Sequence, residues 1–136
     1  MNNDKDNKLK ILIADDDKDI QLLYEEGLPT DRYEKRIVGN GNDVLKLYKS
    51  WHPDIIVLDI TMPIMSGYQA LGKIKELEST GDIKKRAVII MATAMSDEDD
   101  IMDCIKLGIH GYIVKPFSYK KISNQILDYY YKNELR

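Results

Sequence analysis

Short apolar runs alternate along the chain with longer stretches whose apolar residues recur at helical spacing. Lys10 to Ala14 (KILIA) is a compact strand-type run, after which Ile20, Leu23 and Tyr24 fall on one helix face. Arg36 to Gly39 reads as a weaker strand, and Asn42 is placed to cap a helix carrying Val44, Leu45 and Tyr48. Asp54 to Leu58 (DIIVL) is apolar throughout after its first residue, as expected of a strand covered on both faces of a parallel sheet. Beyond a loop with Pro63 and Gly67, Leu71, Ile74 and Leu77 give Tyr68 to Leu77 a helical period. Ala87 to Ala92 (AVIIMA) is the next strand, and Asp97 to Leu107 a helix through Ile101, Cys104 and Ile105 that Gly108 ends. Gly111 to Val114 is a short strand stopped by Pro116, and Ser118 starts a last helix through Ile122 and Ile126.

Five strand–helix units with no internal repeat predict a parallel sheet with helices on both faces. Residues 1–8 form a polar lead and residues 9–136 one domain. The balance of 43% hydrophobic and 32% charged residues suits a globular chain able to bury a core. A net charge of -3, with lysines interleaved among acids, argues against nucleic acid as a direct partner. The single cysteine, Cys104, has no partner for an internal disulfide and sits in an apolar-periodic segment, which reads as a small buried residue. No apolar run reaches the length of a membrane span, and MNNDKDNK lacks the apolar stretch of a signal peptide, so a cytoplasmic protein is expected.

Open parallel sheets bind ligands beyond the carboxyl ends of their strands, so those positions bear the chemistry. Asp15, Asp16 and Asp17 follow the first strand, Asp59 the third, Thr93 the fourth and Lys115 the fifth. Carboxylates gathered on one edge repel each other unless a cation neutralises them. A hard divalent ion such as Mg²⁺ and the Lys115 ammonium both answer that need. Such a set suits phosphoryl transfer: a carboxylate attacks phosphorus while cations screen the phosphoryl oxygens and a hydroxyl such as that of Thr93 donates to one of them. Taken singly, each residue has a plainer reading. Asp17 alone is a first-turn acid meeting the helix dipole, and a strand-ending Asp is more often a turn former. Their joint occurrence, in order, outweighs those readings.

From Leu9 to about Leu135 the chain resembles the receiver domains of bacterial response regulators. The matching segments are ILIADDD (Ile11 to Asp17), VLDITMPIMSG (Val57 to Gly67), IIMATA (Ile89 to Ala94) and GYIVKPF (Gly111 to Phe117). The resemblance implies a flavodoxin-like (βα)5 fold with strand order 2-1-3-4-5, a type for which a chemotaxis regulator serves as a general example. It implies Asp59 as phosphoacceptor, Asp16 as direct Mg²⁺ ligand, Asp15 acting through water, and Thr61 giving its backbone carbonyl to the metal. Lys115 would pair with the phosphoryl group, across a cis Lys115–Pro116 bond. Thr93 and Tyr112 would form the switch pair, although Tyr112 is also readable as a static, half-buried core ring. Thr61 and Met95 occupy the positions that tune phosphoryl lifetime.

The same resemblance implies a signalling module rather than a turnover enzyme. Its partners would be a histidine kinase or histidine phosphotransfer protein, a downstream target or attached output domain, and a second copy in a phosphorylation-dependent dimer. Met1 and the polar lead favour a stand-alone regulator over a receiver cut from a larger regulator or hybrid kinase. A haloacid-dehalogenase-type phosphatase would need an acid two residues after the nucleophile, where Thr61 stands. A flavin-binding protein would need a phosphate cradle where Asp15 to Asp17 would repel one. His52 and His110 are assigned surface or loop roles, Trp51 packs at the end of the second helix, and one of Tyr129, Tyr130 and Tyr131 must be exposed.

Overall fold

A computed structural model describes residues 8–94 and 98–134. Strands β1 (Leu9–Ala14), β2 (Tyr33–Val38), β3 (Ile55–Asp59), β4 (Val88–Ala94) and β5 (Gly111–Lys115) alternate with helices α1 (Lys18–Gly27), α2 (Gly41–Trp51), α3 (Gly67–Ser79), α4 (Glu98–Leu107) and α5 (Ile122–Glu134). All strand pairs are parallel, in the order β2-β1-β3-β4-β5, the flavodoxin-like arrangement expected.

Successive strand residues point to opposite faces, and the two cores follow that alternation. Leu12, Leu58, Ile89 and Met91 pack with Val44, Tyr48, Leu71, Ile74 and Cys104 from α2, α3 and α4. Ile11, Ile13, Val57 and Ile90 pack with Tyr24 from α1 and Ile122, Ile126 and Tyr130 from α5. Each fully buried Leu or Ile contributes roughly 1.5–3 kcal/mol. Every residue of β3 is buried, which is why its run is continuously apolar up to Asp59. Among the described residues no helix is long and apolar enough to cross a membrane.

Several boundaries differ from the sequence reading, each for a local reason. β2 begins at Tyr33, before Arg36, because Tyr33 is buried while the aliphatic stem of Lys35 is covered and its amine pairs with Glu25. Asn40, not Asn42, caps α2, its side chain accepting from Asp43 N at 3.0 Å. Ser118 opens a turn, its carbonyl accepting from Lys121 N and Ile122 N at 3.0 Å each, and α5 begins only at Ile122. Gly108 does end α4, in the left-handed region at φ 104°.

His110 is more than a loop residue. Its Nδ1 accepts from Ile89 N at 2.9 Å and its own N–H donates to Ile89 O at 2.9 Å, so it completes the β4–β5 edge. Trp51 lies buried under the Arg36 guanidinium, 4.6 Å from the ring centre. Tyr130 is buried and Tyr131 exposed, as three successive tyrosines on a helix require. His52 is exposed at the end of α2, and Cys104 is fully buried.

Candidate functional site at the carboxyl edge of the sheet

The chain reverses its direction of strand addition at β1, so the crevice lies between the ends of β1 and β3. Asp15 and Asp59 flank it. Asp15 is fully buried just past β1, its N–H donating to Val38 O at 3.0 Å. Its Oδ1 accepts from Asp17 N at 3.0 Å and its Oδ2 from Lys115 Nζ at 2.9 Å. Asp59 is the last residue of β3 and is 7% exposed. Its Oδ1 lies 3.1 Å from Lys115 Nζ and accepts a long 3.4 Å contact from Thr61 N. Asp16 is exposed beside them. Asp17 is the N-cap of α1, its carboxylate accepting from Asp19 N and Ile20 N.

Carboxylate oxygens of Asp15, Asp16 and Asp59 lie within 4.8 Å of one another, and the three could hold a metal ion. The electrostatics agree. Burial, then the charge of Asp15, pushes Asp59 up to about 6, against the pull of Lys115. Lys115 stays charged: burial disfavours its ammonium, but the hydrogen bond to Asp15 and the charge of Asp59 outweigh that and raise its pKa. One lysine thus serves two carboxylates, and a third carboxylate reaches the same space. The hard, anionic oxygen set fits a hard divalent cation.

Lys115 precedes a cis Lys115–Pro116 bond, and Phe117 then packs against Tyr24 at 4.8 Å between ring centres. The Tyr24 hydroxyl is held protonated, by burial first and then by the charges of Asp15 and Asp59. Thr93 is buried near the end of β4, its hydroxyl donating to Ala94 O at 3.0 Å. Tyr112 pairs with Met91 in the β4–β5 register, so Thr93, two residues on, shares its face of the sheet. The Tyr112 ring is 44% exposed, which places it outside the core. Thr61 is exposed on the loop after Asp59, and Met95 lies outside the described residues.

Gly67 closes the loop behind Asp59, its N–H donating to Ile60 O at 2.8 Å. A Cβ there would overlap the Asp59 carbonyl oxygen and lie 2.9 Å from Ile60 Cα, so only glycine lets α3 start this close to the strand end. Ser66 and Gln69 form a capping box on the same helix. Gln21, which no motif marks in the sequence, donates its Nε2 N–H to Asp15 O at 2.6 Å. The available signal was its place one helical turn beyond the cap, since helical side chains lean towards the N-terminus.

An open parallel sheet with paired acids and a lysine at its switch point defines a class of phosphoryl-handling signalling modules. The chain belongs to the response regulator receiver domain family, whose model matches residues 11–127. It is 38% identical over 119 residues to the probable transcriptional regulator ycf27 of Porphyridium aerugineum, covering 88% of this chain and 47% of that protein. It is 32% identical over 119 residues to the chemotaxis protein CheY of Halobacterium salinarum, covering 88% of this chain and 94% of that one. A response regulator receiver domain protein (CheY-like) from Methanospirillum hungatei has the same fold, with a TM-score of 0.80 at 24% identity over 93% of this chain and 97% of that one. The chain spans about half the length of the ycf27 regulators it matches. It is a receiver module of two-component signalling.

Proposed function

We propose that Asp59 accepts a phosphoryl group from a phosphohistidine donor, in a reaction that needs Mg²⁺. The observation that carries this reading is the Lys115 ammonium set 2.9 Å from Asp15 and 3.1 Å from Asp59. The ionised Asp59 carboxylate attacks phosphorus, the P–N bond breaks, and its electron pair stays on the imidazole nitrogen, which then takes up a proton. Asp16, Asp59 and the Thr61 carbonyl would hold the ion directly, and Asp15 through water. Bound there, Mg²⁺ supplies charge neutralisation at the phosphoryl oxygens. Lys115 keeps its place beside Asp59 and pairs with the new phosphoryl group. Thr93 turns its hydroxyl from Ala94 O to a phosphoryl oxygen, and Tyr112 swings inward from its exposed position to follow it.

Met95 and Thr61 set how readily water reaches the acyl phosphate, so Met95→Glu shortens its lifetime; equal decay rates would refute that role. The donor is a histidine kinase or histidine phosphotransfer protein, and the readers of the switch are a downstream protein, an attached output domain or a second copy. The domain occupies residues 9–136 and works in the cytoplasm as a signalling part, with no turnover of an external substrate. Backbone amide spectra test the switch: beryllofluoride with Mg²⁺ should shift the Thr93 and Tyr112 resonances in the wild type and leave Asp59→Asn unmoved. Unmoved resonances in a wild type that binds beryllofluoride would refute the switch pair.

A further inference from the structure

We infer that Gln21 is a positioning residue for the cation site, fixing the Asp15–Asp16 peptide from the first turn of α1. The inference rests on the reading of Asp16 as a metal ligand. Asp15 is tied down on every side but one by groups that the sheet and site already provide. Its N–H binds Val38 O, and its carboxylate binds Asp17 N and Lys115 Nζ. Its carbonyl oxygen lies beyond the last β1–β3 pair, Ala14 with Leu58, and there Gln21 Nε2 meets it at 2.6 Å.

That carbonyl belongs to the peptide plane that aims Asp16. Among the described residues no hydrogen bond or ion pair holds the exposed Asp16 carboxylate. Its direction therefore depends on the backbone, and the backbone at that peptide depends on Gln21. The helix supports the arrangement: Gln21 N donates to Asp17 O at 2.9 Å, and Asp17 caps the same turn. A glutamine amide at this distance from the N-cap reaches back over the helix end, in the direction helical side chains lean. Groups that orient metal ligands without touching the ion commonly matter about 10–100-fold in affinity.

The test is calorimetric titration of Mg²⁺ into wild type, Gln21→Met and Gln21→Ala, with thermal unfolding of each in metal-free buffer. Methionine keeps the length and loses the donor. The expected result is a dissociation constant raised about tenfold in both variants, with metal-free unfolding temperatures close to wild type. Acetyl phosphate labelling should then split the same way: the Mg²⁺ concentration for half-maximal rate rises, and the rate at saturating Mg²⁺ stays within about twofold. Dissociation constants within about twofold of a wild type that binds Mg²⁺ would overturn the positioning role alone. A wild type that does not bind Mg²⁺ would overturn this inference together with the metal reading beneath it.

Discussion

Replacing Asp59 with asparagine should stabilise the metal-free fold, and the gain should depend on pH. The buried Asp59 carboxyl titrates at about 6 in the folded chain against 3.8 for the free group. That rise corresponds to about 3 kcal/mol, and solvent screening reduces it to about 1–2 kcal/mol. Between those two values the folded state keeps a proton that the unfolded state releases. Stability therefore falls as pH rises through the window and levels off above it. The asparagine side chain of the variant has no such proton. Urea unfolding of both proteins in Mg²⁺-free buffer, near pH 4.5 and pH 8, isolates the site, because titrating groups remote from Asp59 cancel in the double difference, leaving Asp59 with its partners Asp15 and Lys115. Asp59→Asn should gain about 1–2 kcal/mol more at the higher pH. Mg²⁺ should then stabilise the wild type preferentially. A double difference of zero, or of opposite sign, would refute the claim that burial and the Asp15 charge strain this carboxylate. The charge repulsion is what leaves the site ready for cations.

Three further outcomes follow from the same contacts. Lys115→Met removes the cation that holds Asp59 down, so the Asp59 carboxyl should titrate above about 6 in a carbon-detected NMR titration; a midpoint at or below the wild-type one contradicts the pairing. Gly67→Ala forces a methyl into the Asp59 carbonyl and should cost about 1–3 kcal/mol in urea unfolding while slowing labelling of Asp59; wild-type stability would show that the loop gives way. Tyr48→Phe strips Glu78 Oε2 of a 2.6 Å donor and Ala87 N of a 3.0 Å acceptor, both buried. It should cost about 3–5 kcal/mol, and a loss under about 1 kcal/mol would mean that water replaces the hydroxyl.

The apolar strands and the site were legible for one reason: both are written in residue type at strand spacing. β3 is buried on both faces and must be apolar until the residue that leaves the sheet, so Asp59 stands out. β2 looks shorter in sequence than it is because it is an edge strand whose covered surface includes the stem of Lys35, which polarity alone does not reveal. A cap is ambiguous in sequence where several suitable residues stand close together, as with Asn40 and Asn42, since the deciding variable is backbone geometry. Long-range polar contacts stayed invisible. Neither the Glu78–Tyr48 bond nor the His110 bridge to Ile89 has a sequence spacing that marks it. Gln21 belongs to the same group, because its importance lies in the carbonyl it meets.

Incubation with Mg²⁺ and acetyl phosphate, read by intact-protein mass spectrometry, tests phosphoryl acceptance at Asp59 most directly. The wild type should gain the mass of one phosphoryl group, lost again in mild base and absent without Mg²⁺, and Asp59→Ala should gain none. The same base-labile adduct on Asp59→Ala would contradict the assignment.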